Sequence, residues 1–155
     1  MRRNKQEITD KSEIERIITV AEVARLAINR EGGAPYIVPM NFGYEGGTFY
    51  FHSAGAGLKL DLLKADPRVC IEVENLSTFK KDGKDSPCDW GMDYKSIIAT
   101  GRAEFITDFD EKAKALKAVI AKFADEQAFP MSEKAVNAVT VFKVEAPRLS
   151  AKRSS

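Results

Sequence analysis

The sequence predicts a mainly β fold with peripheral helices: a small antiparallel barrel of about six strands in one domain spanning residues 1–155. Three observations predict it. Short runs with the two-residue period of strands recur along the chain. Glycine pairs at Gly32-Gly33 and Gly46-Gly47 separate neighbouring runs at hairpin spacing. The helical segments are few and do not alternate with the strands, which argues against a parallel βαβ sheet.

Residues 1–9 read as a loose polar arm. Ser12-Glu-Ile-Glu15 has capping-box spacing, so a helix is expected to start there, with Ile14, Ile17 and Ile18 on one face. Val23 to Asn29 reads as a strand, and Glu31-Gly-Gly33 as its turn. Pro35 to Tyr44 is the next strand, Glu45-Gly-Gly47 its turn, and Thr48 to Ser53 the strand after that. Leu58 to Ala65 is a short helix expected to bury Leu58, Leu62 and Leu63. Asp66-Pro67 ends it, because a residue before proline avoids helical angles. Arg68 to Glu74 alternates Val69, Ile71 and Val73 with Cys70 and Glu72, the period of a strand. Residues 76–94 are polar without a clear period and read as a long loop, functional or at an interface, that includes the solvated stretch Lys80 to Asp85. Ser96 to Thr107 is a strand broken at Gly101. Asp110 to Glu126 is the strongest helix, with Ala113, Leu116, Ile120 and Phe123 at helical spacing. Val136 to Val144 closes the domain, and the tail from Pro147 is expected to fray.

Composition narrows the function classes. The 24 basic and 23 acidic residues nearly cancel, so no overall field draws in nucleic acid or an anionic membrane, and neither is an expected partner. No apolar run approaches the roughly 18 residues of a membrane span, and the polar N-terminus does not resemble a signal peptide. Two cysteines and one histidine do not make a standard zinc site without carboxylates, so no metal is expected. Cys70 and Cys88 are expected to be reduced thiols in a cytoplasmic protein, with Cys88 an inert one.

Chemistry concentrates at His52-Ser-Ala-Gly-Ala-Gly-Leu-Lys59. Small residues let backbone N–H groups approach a phosphate closely. The helix beginning near Gly57 turns its N-terminus toward the same place, and Lys59 and Ser53 add a charge and a hydroxyl. The Gly-Lys-Ser/Thr order of a Walker loop is missing. From spacing alone, a plain strand-to-helix turn with a solvated lysine is the favoured reading.

The segments Pro35-Tyr-Ile-Val-Pro-Met-Asn-Phe-Gly-Tyr44, Phe49-Tyr-Phe-His-Ser-Ala54 and Gly57-Leu-Lys-Leu-Asp61 together resemble the pyridoxamine 5′-phosphate oxidase-like family. Within it they are most similar to flavoproteins of the nitroimidazole-resistance (Nim) type. Cys88-Asp-Trp90, the run Tyr94 to Glu104 and the opening Arg2-Arg3…Glu7-Ile-Thr-Asp10 resemble the same family in the same order. The resemblance implies an FMN-binding split barrel working as a homodimer, with flavin at the subunit interface. By position, Val38, Pro39, Met40 and Asn41 would run beside the flavin ring through their backbone. His52, Ser53, Ala54, Leu58 and Lys59 would surround the ribityl chain and phosphate, and Trp90 and Ser96 would come from the partner chain. The arginine-rich C-terminal segment of true pyridoxamine oxidases has no counterpart in Val144-Glu-Ala-Pro-Arg-Leu-Ser-Ala-Lys152, so vitamin B6 oxidation is not implied.

The resulting expectation is an FMN-dependent oxidoreductase acting on a small-molecule substrate such as a nitroaromatic. NAD(P)H is the candidate electron donor, although no dinucleotide fingerprint is present. A non-enzymatic flavin- or haem-binding or sensing protein is the alternative, with haem or a deazaflavin in place of FMN. His52, the one histidine, is the candidate catalytic proton donor. The competing role is a strand-end residue bonded to a backbone carbonyl. Trp90 and Tyr94 would either stack on a ligand or seal a dimer interface.

Overall fold

In the computed structural model, which describes residues 4–81, 85–124 and 131–154, strands β1 (Glu7–Ile8), β2 (Val23–Ile28), β3 (Tyr36–Asn41), β4 (Gly43–Glu45), β5 (Thr48–Ser53), β6 (Arg68–Lys80), β7 (Gly91–Ile106) and β8 (Thr140–Arg153) form one sheet. The order is β3-β2-β6-β7-β8-β5-β4, every pairing is antiparallel, and β1 adds to β8. The sheet curls so that its end strands β3 and β4 are joined by a single residue, Phe42. This is a split barrel, with eight strands where about six were expected. Helices α1 (Lys11–Val20), α2 (Leu58–Ala65), α3 (Phe109–Ile120) and α4 (Glu133–Asn137) lie around it. None of the described helices is long and apolar enough to cross a membrane.

The inward face of each strand builds the core. Leu26, Ile71, Val73, Ile97, Phe51 and Phe142 are fully buried, each alternating with an outward residue. Phe42 packs on Phe49 and Phe51 at ring-centre distances of 5.6 and 6.3 Å, and Phe51 stacks on Phe142 at 5.2 Å. Burying each such ring contributes about 1.5–3 kcal/mol, so this cluster fixes where the sheet closes.

Several expected boundaries shift, each for a physical reason. The N-terminal arm is partly tied down: Ile8 is buried, and Glu7 and Ile8 pair with Lys152 and Ala151. Arg2 and Arg3 lie outside the described residues. α1 is capped by Asp10, not Ser12; the Asp10 carboxylate accepts from the Ser12 N–H at 2.9 Å and its hydroxyl at 2.8 Å. The expected strand 35–44 divides at Phe42, because β3 pairs with β2 and β4 with β5. In α2 the buried residues are Leu60 and Leu63, Leu62 is half-buried, and Leu58 is exposed at the helix head. α3 buries Ala115, Leu116 and Val119, while Phe123 is exposed; residues 125–126 lie outside the described part.

The expected loop 76–94 is mostly a hairpin. β6 and β7 pair out to Lys80 and Gly91 beyond an irregularity at Asn75/Ser77, and a short 3-10 turn, Pro87–Asp89, follows. Residues 82–84 lie outside the described part. Lys80 bridges to Asp93 at 2.6 Å, and Phe79 meets Trp90 edge-on at 5.6 Å.

The tail does not fray either. Residues 133–137 are helical, and β8 then runs through Pro147 to Arg153 in register with β7. Pro147 fits because the ladder is already interrupted there: the register moves from Arg102↔Glu145 to Thr100↔Arg148, leaving Ala146 and Pro147 against Gly101. Gly101 is required by the closeness of this crossing. A Cβ on it would run into the Glu145 carbonyl oxygen and lie 2.7 Å from Val144 Cγ1.

Lys122 ties α1 to the barrel. Its Nζ donates to the carbonyls of Ile18 at 2.6 Å, Ala21 at 2.7 Å and Thr19 at 3.2 Å, and sits 3.8 Å above the Phe42 ring centre. Burial pushes its pKa down to about 8, with the Glu22 charge pulling weakly the other way. On the opposite side, Glu13 of α1 receives Lys95 at 2.6 Å and Arg153 at 3.1 Å.

Two outcomes are expected from these contacts. Lys122→Met strands carbonyls at the end of α1 and lowers stability by about 1–3 kcal/mol in denaturant titration. Because the folded pKa of Lys122 lies below its unfolded value, the cost of burying its charge is fully present below pH 8 and is relieved as pH rises toward 10.5. The wild type therefore gains on the variant over that window. Gly101→Ala forces β7 and β8 apart and costs at least the 1–3 kcal/mol or so typical of overpacking, read as a lowered Tm.

Candidate functional site

β5 alternates Phe49 and Phe51 into the core, which leaves His52 on the outer face, opposite Val141. Ser53, the last residue of β5, is half-buried opposite Thr140. Residues 54–57 are exposed and end at Gly57, whose φ of 136° is rarely open to a residue with a side chain. Gly57 caps α2 through its backbone alone: its carbonyl accepts from the Leu60 N–H at 2.9 Å and the Asp61 N–H at 3.2 Å, and no side chain caps the first-turn donors.

Lys59 stands at this helix head. It is half-buried, burial lowers its pKa, and it makes no ion pair among the described residues. It lies close enough to His52 to act on it electrostatically. The His52 pKa is lowered first by partial burial of the imidazole and second by the Lys59 charge. An unpaired, partly desolvated cation beside uncapped N–H groups and a small-residue loop is an anion-binding arrangement.

β3 is a terminal strand of the sheet, paired only with β2, so one row of its backbone groups has no strand partner. Pro39 lies in it, as proline in a sheet favours an edge. Val38 is half-buried opposite Leu26, and Met40 is buried in the core opposite Ala24. Pro39 and Asn41 face outward, and the Asn41 side-chain amide donates to the Glu22 carbonyl at 3.1 Å. What Met40 offers a ligand is therefore its backbone. β3 and β5 touch where the barrel closes, which brings the two halves of this region onto one end of the molecule.

Trp90 and Ser96 belong to another part of the chain. Trp90 packs against Phe79, with Lys81 Nζ 5.2 Å above its ring. Ser96 is half-buried between Glu74 and Lys152 of the flanking strands. The structure thus gathers His52, Ser53 and Lys59 in one region and places Trp90 and Ser96 on a separate hairpin. The four described grooves share no lining residue with the expected site. Sequence reasoning passed over two of those grooves, which flank the bulge at Gly101. Their signal was the pairing of an in-strand Gly-Arg with a downstream Pro-Arg.

Comparison with known proteins gives the family of the chain. No curated protein matches the chain. The candidate 5-nitroimidazole antibiotic resistance protein of Bacteroides thetaiotaomicron is 35% identical, with a TM-score of 0.84 over 95% of this chain and 86% of that one. The flavocytochrome Anf3 of Azotobacter vinelandii is 22% identical, with a TM-score of 0.83 over 100% of this chain and 72% of its own. The FAD and heme binding protein of Mycobacterium smegmatis is 20% identical, with a TM-score of 0.84 over 97% and 74%. These last two share the fold. The family profile described as pyridoxamine 5′-phosphate oxidase matches residues 10–153, and the chain belongs to that family.

Proposed function

We propose that the protein is a cytoplasmic, homodimeric FMN-binding oxidoreductase that reduces small organic molecules, nitroaromatics among them. The observation that carries this reading is Lys59: an unpaired, half-buried cation at the uncapped head of α2, directly after a loop of small residues and beside His52. The 35% identity to the Bacteroides protein supports the substrate class.

The residues fit a phosphate-bearing flavin. Lys59, the Ser53 hydroxyl and the backbone N–H groups of the 54–57 loop would hold the phosphate, and the exposed Leu58 would supply an apolar wall. The free backbone edge of β3, from Val38 to Asn41, would meet the polar edge of the ring. Bound flavin supplies hydride or electron transfer, which no side chain provides. His52 would hold the proton. Its lowered pKa keeps it neutral near pH 7 while the site is empty. An anion on Lys59 cancels the charge that helps depress it and brings the imidazole back toward the acid–base range.

A second subunit would complete the site. Phe79 and Met92 are 56% and 46% exposed on the β6–β7 hairpin. A two-stranded ribbon with apolar faces in water is marginal by itself, and a copy of this chain would cover it and bring Trp90 and Ser96 to the site.

The purified protein should show flavin absorption at about 450 nm after incubation with FMN, bleached by NAD(P)H and restored by a nitroimidazole. A Soret band with haem would favour the haem-binding reading. Absence of both chromophores and no FMN binding on titration would defeat the proposal. Lys59→Ala should weaken FMN binding by about 1–3 kcal/mol, the loss of a charged partner; unchanged affinity would remove Lys59 from the phosphate site. An NMR titration should place the His52 midpoint below 6.5, and both Lys59→Met and FMN should raise it. The folded pKa lies below the unfolded one, so acidification through this window costs the folded state stability through His52.

A further inference from the structure

The groove beside the bulge shares no residue with the proposed flavin site. Its cavity of about 610 Å³ falls in the range of small-molecule sites. Its walls are apolar where Ala27, Pro35, Val69 and Pro147 line it. They are basic where Arg68, Arg102 and Arg148 do, and no carboxylate lines it.

The three arginines are not equivalent. Arg68 is neutralised by Asp66, with NH2 to Oδ2 at 2.6 Å and Nε to Oδ1 at 2.9 Å. Arg102 and Arg148 have no acceptor among the described residues. Arg102 also stands directly opposite Arg68 in the β6–β7 register. Like charges in that position destabilise a sheet unless something compensates. Glu145, which faces Arg102 on β8, lines the neighbouring groove and makes no ion pair with it. Arg148 pairs with Thr100 across the β7–β8 ladder, two residues from Arg102 on β7, and all three line the groove. Arg102 and Arg148 flank the bulge in register and share this groove, while Arg102 also borders the two neighbouring ones.

We propose that this groove is a second ligand site, for a small molecule carrying a carboxylate or phosphate on an apolar body. The oxyanion is held by Arg102 and Arg148 with the Thr100 hydroxyl, and the body lies on the Ala27, Val69 and Pro147 wall. Guanidinium forks match the paired oxygens of either head group.

The test is an amide-resolved NMR titration of the full chain with excess FMN present, using benzoate, neutral benzamide and inorganic phosphate as probes. Benzoate should shift the amides of Thr100, Gly101, Arg102 and Arg148 saturably, phosphate should compete, and benzamide should do neither. Arg102→Gln and Arg148→Gln should each weaken benzoate about tenfold or more, the loss of one charge-assisted partner. Arg102→Gln should leave Tm unchanged, since Arg102 makes no ion pair among the described residues. The proposal fails if benzoate gives no saturable shift, if phosphate binds but benzoate does not, or if benzamide binds as well as benzoate. It also fails if the substitutions leave affinity unchanged, or if Arg102→Gln lowers Tm by several degrees, which would make the arginine a support of the fold.

Discussion

The β7–β8 ladder is the constraint on which the rest of the molecule depends. β8 keeps β7 on one side along nearly its whole length, but it changes neighbours on the other. Its first half, Thr140 to Glu145, carries β5, and its second half, at Ala151 and Lys152, carries β1. A flat strand cannot serve two partners lying in different directions. The bulge at Gly101, Ala146 and Pro147 bends the ladder between the two halves, and the curl that closes the barrel follows from that bend.

The candidate flavin region inherits its position from this bend. β5 is held in register by the first half of β8, which aims Phe51 inward and His52 outward. The chain then has to leave the sheet, and Gly57 lets it turn sharply into α2 with its leading donors uncapped. At the other end of the curled sheet, Phe42 passes the chain from β3 to β4 under the clamp of Lys122, leaving β3 as an edge beside β5. Site and core are therefore one construction. The phenylalanine cluster that closes the barrel also holds the β3 end beside β5, the strand that leads to Lys59.

Much of the fold could be read from the chain wherever one face of a strand is buried. Val69, Ile71 and Val73 alternate because the core lies on one side of β6, and the turn at Gly46-Gly47 announces itself by residue type. The reading failed where local signals and tertiary context diverge. Residues beyond Asn75 form a ribbon held by cross-strand pairs such as Lys80–Asp93, without a core face to impose a period. Pro147 looked like a strand terminator because its tolerance depends on a bulge made jointly with Gly101, a residue distant in sequence. Ser12 looked like a helix cap by its spacing to Glu15, but Asp10, two residues earlier, offers a stronger acceptor and takes the cap. Within the site, the loop and Lys59 were recognisable by type and order. That Met40 is buried and Trp90 stands apart depends on register and hairpin length, which the residue types do not encode.

The late position of β8 has a consequence for how this chain reaches its native state. Both β1 and β5 wait for a partner that is synthesised after them, and the β1–β8 pairing joins residues 7 and 8 to 152 and 151. Contacts this remote in sequence favour slow folding, in the millisecond-to-second class of β proteins or so. Until β8 docks, β5 is paired on its β4 side alone and Phe51 lacks its stack on Phe142, so this edge stays open to wrong pairing during vectorial synthesis.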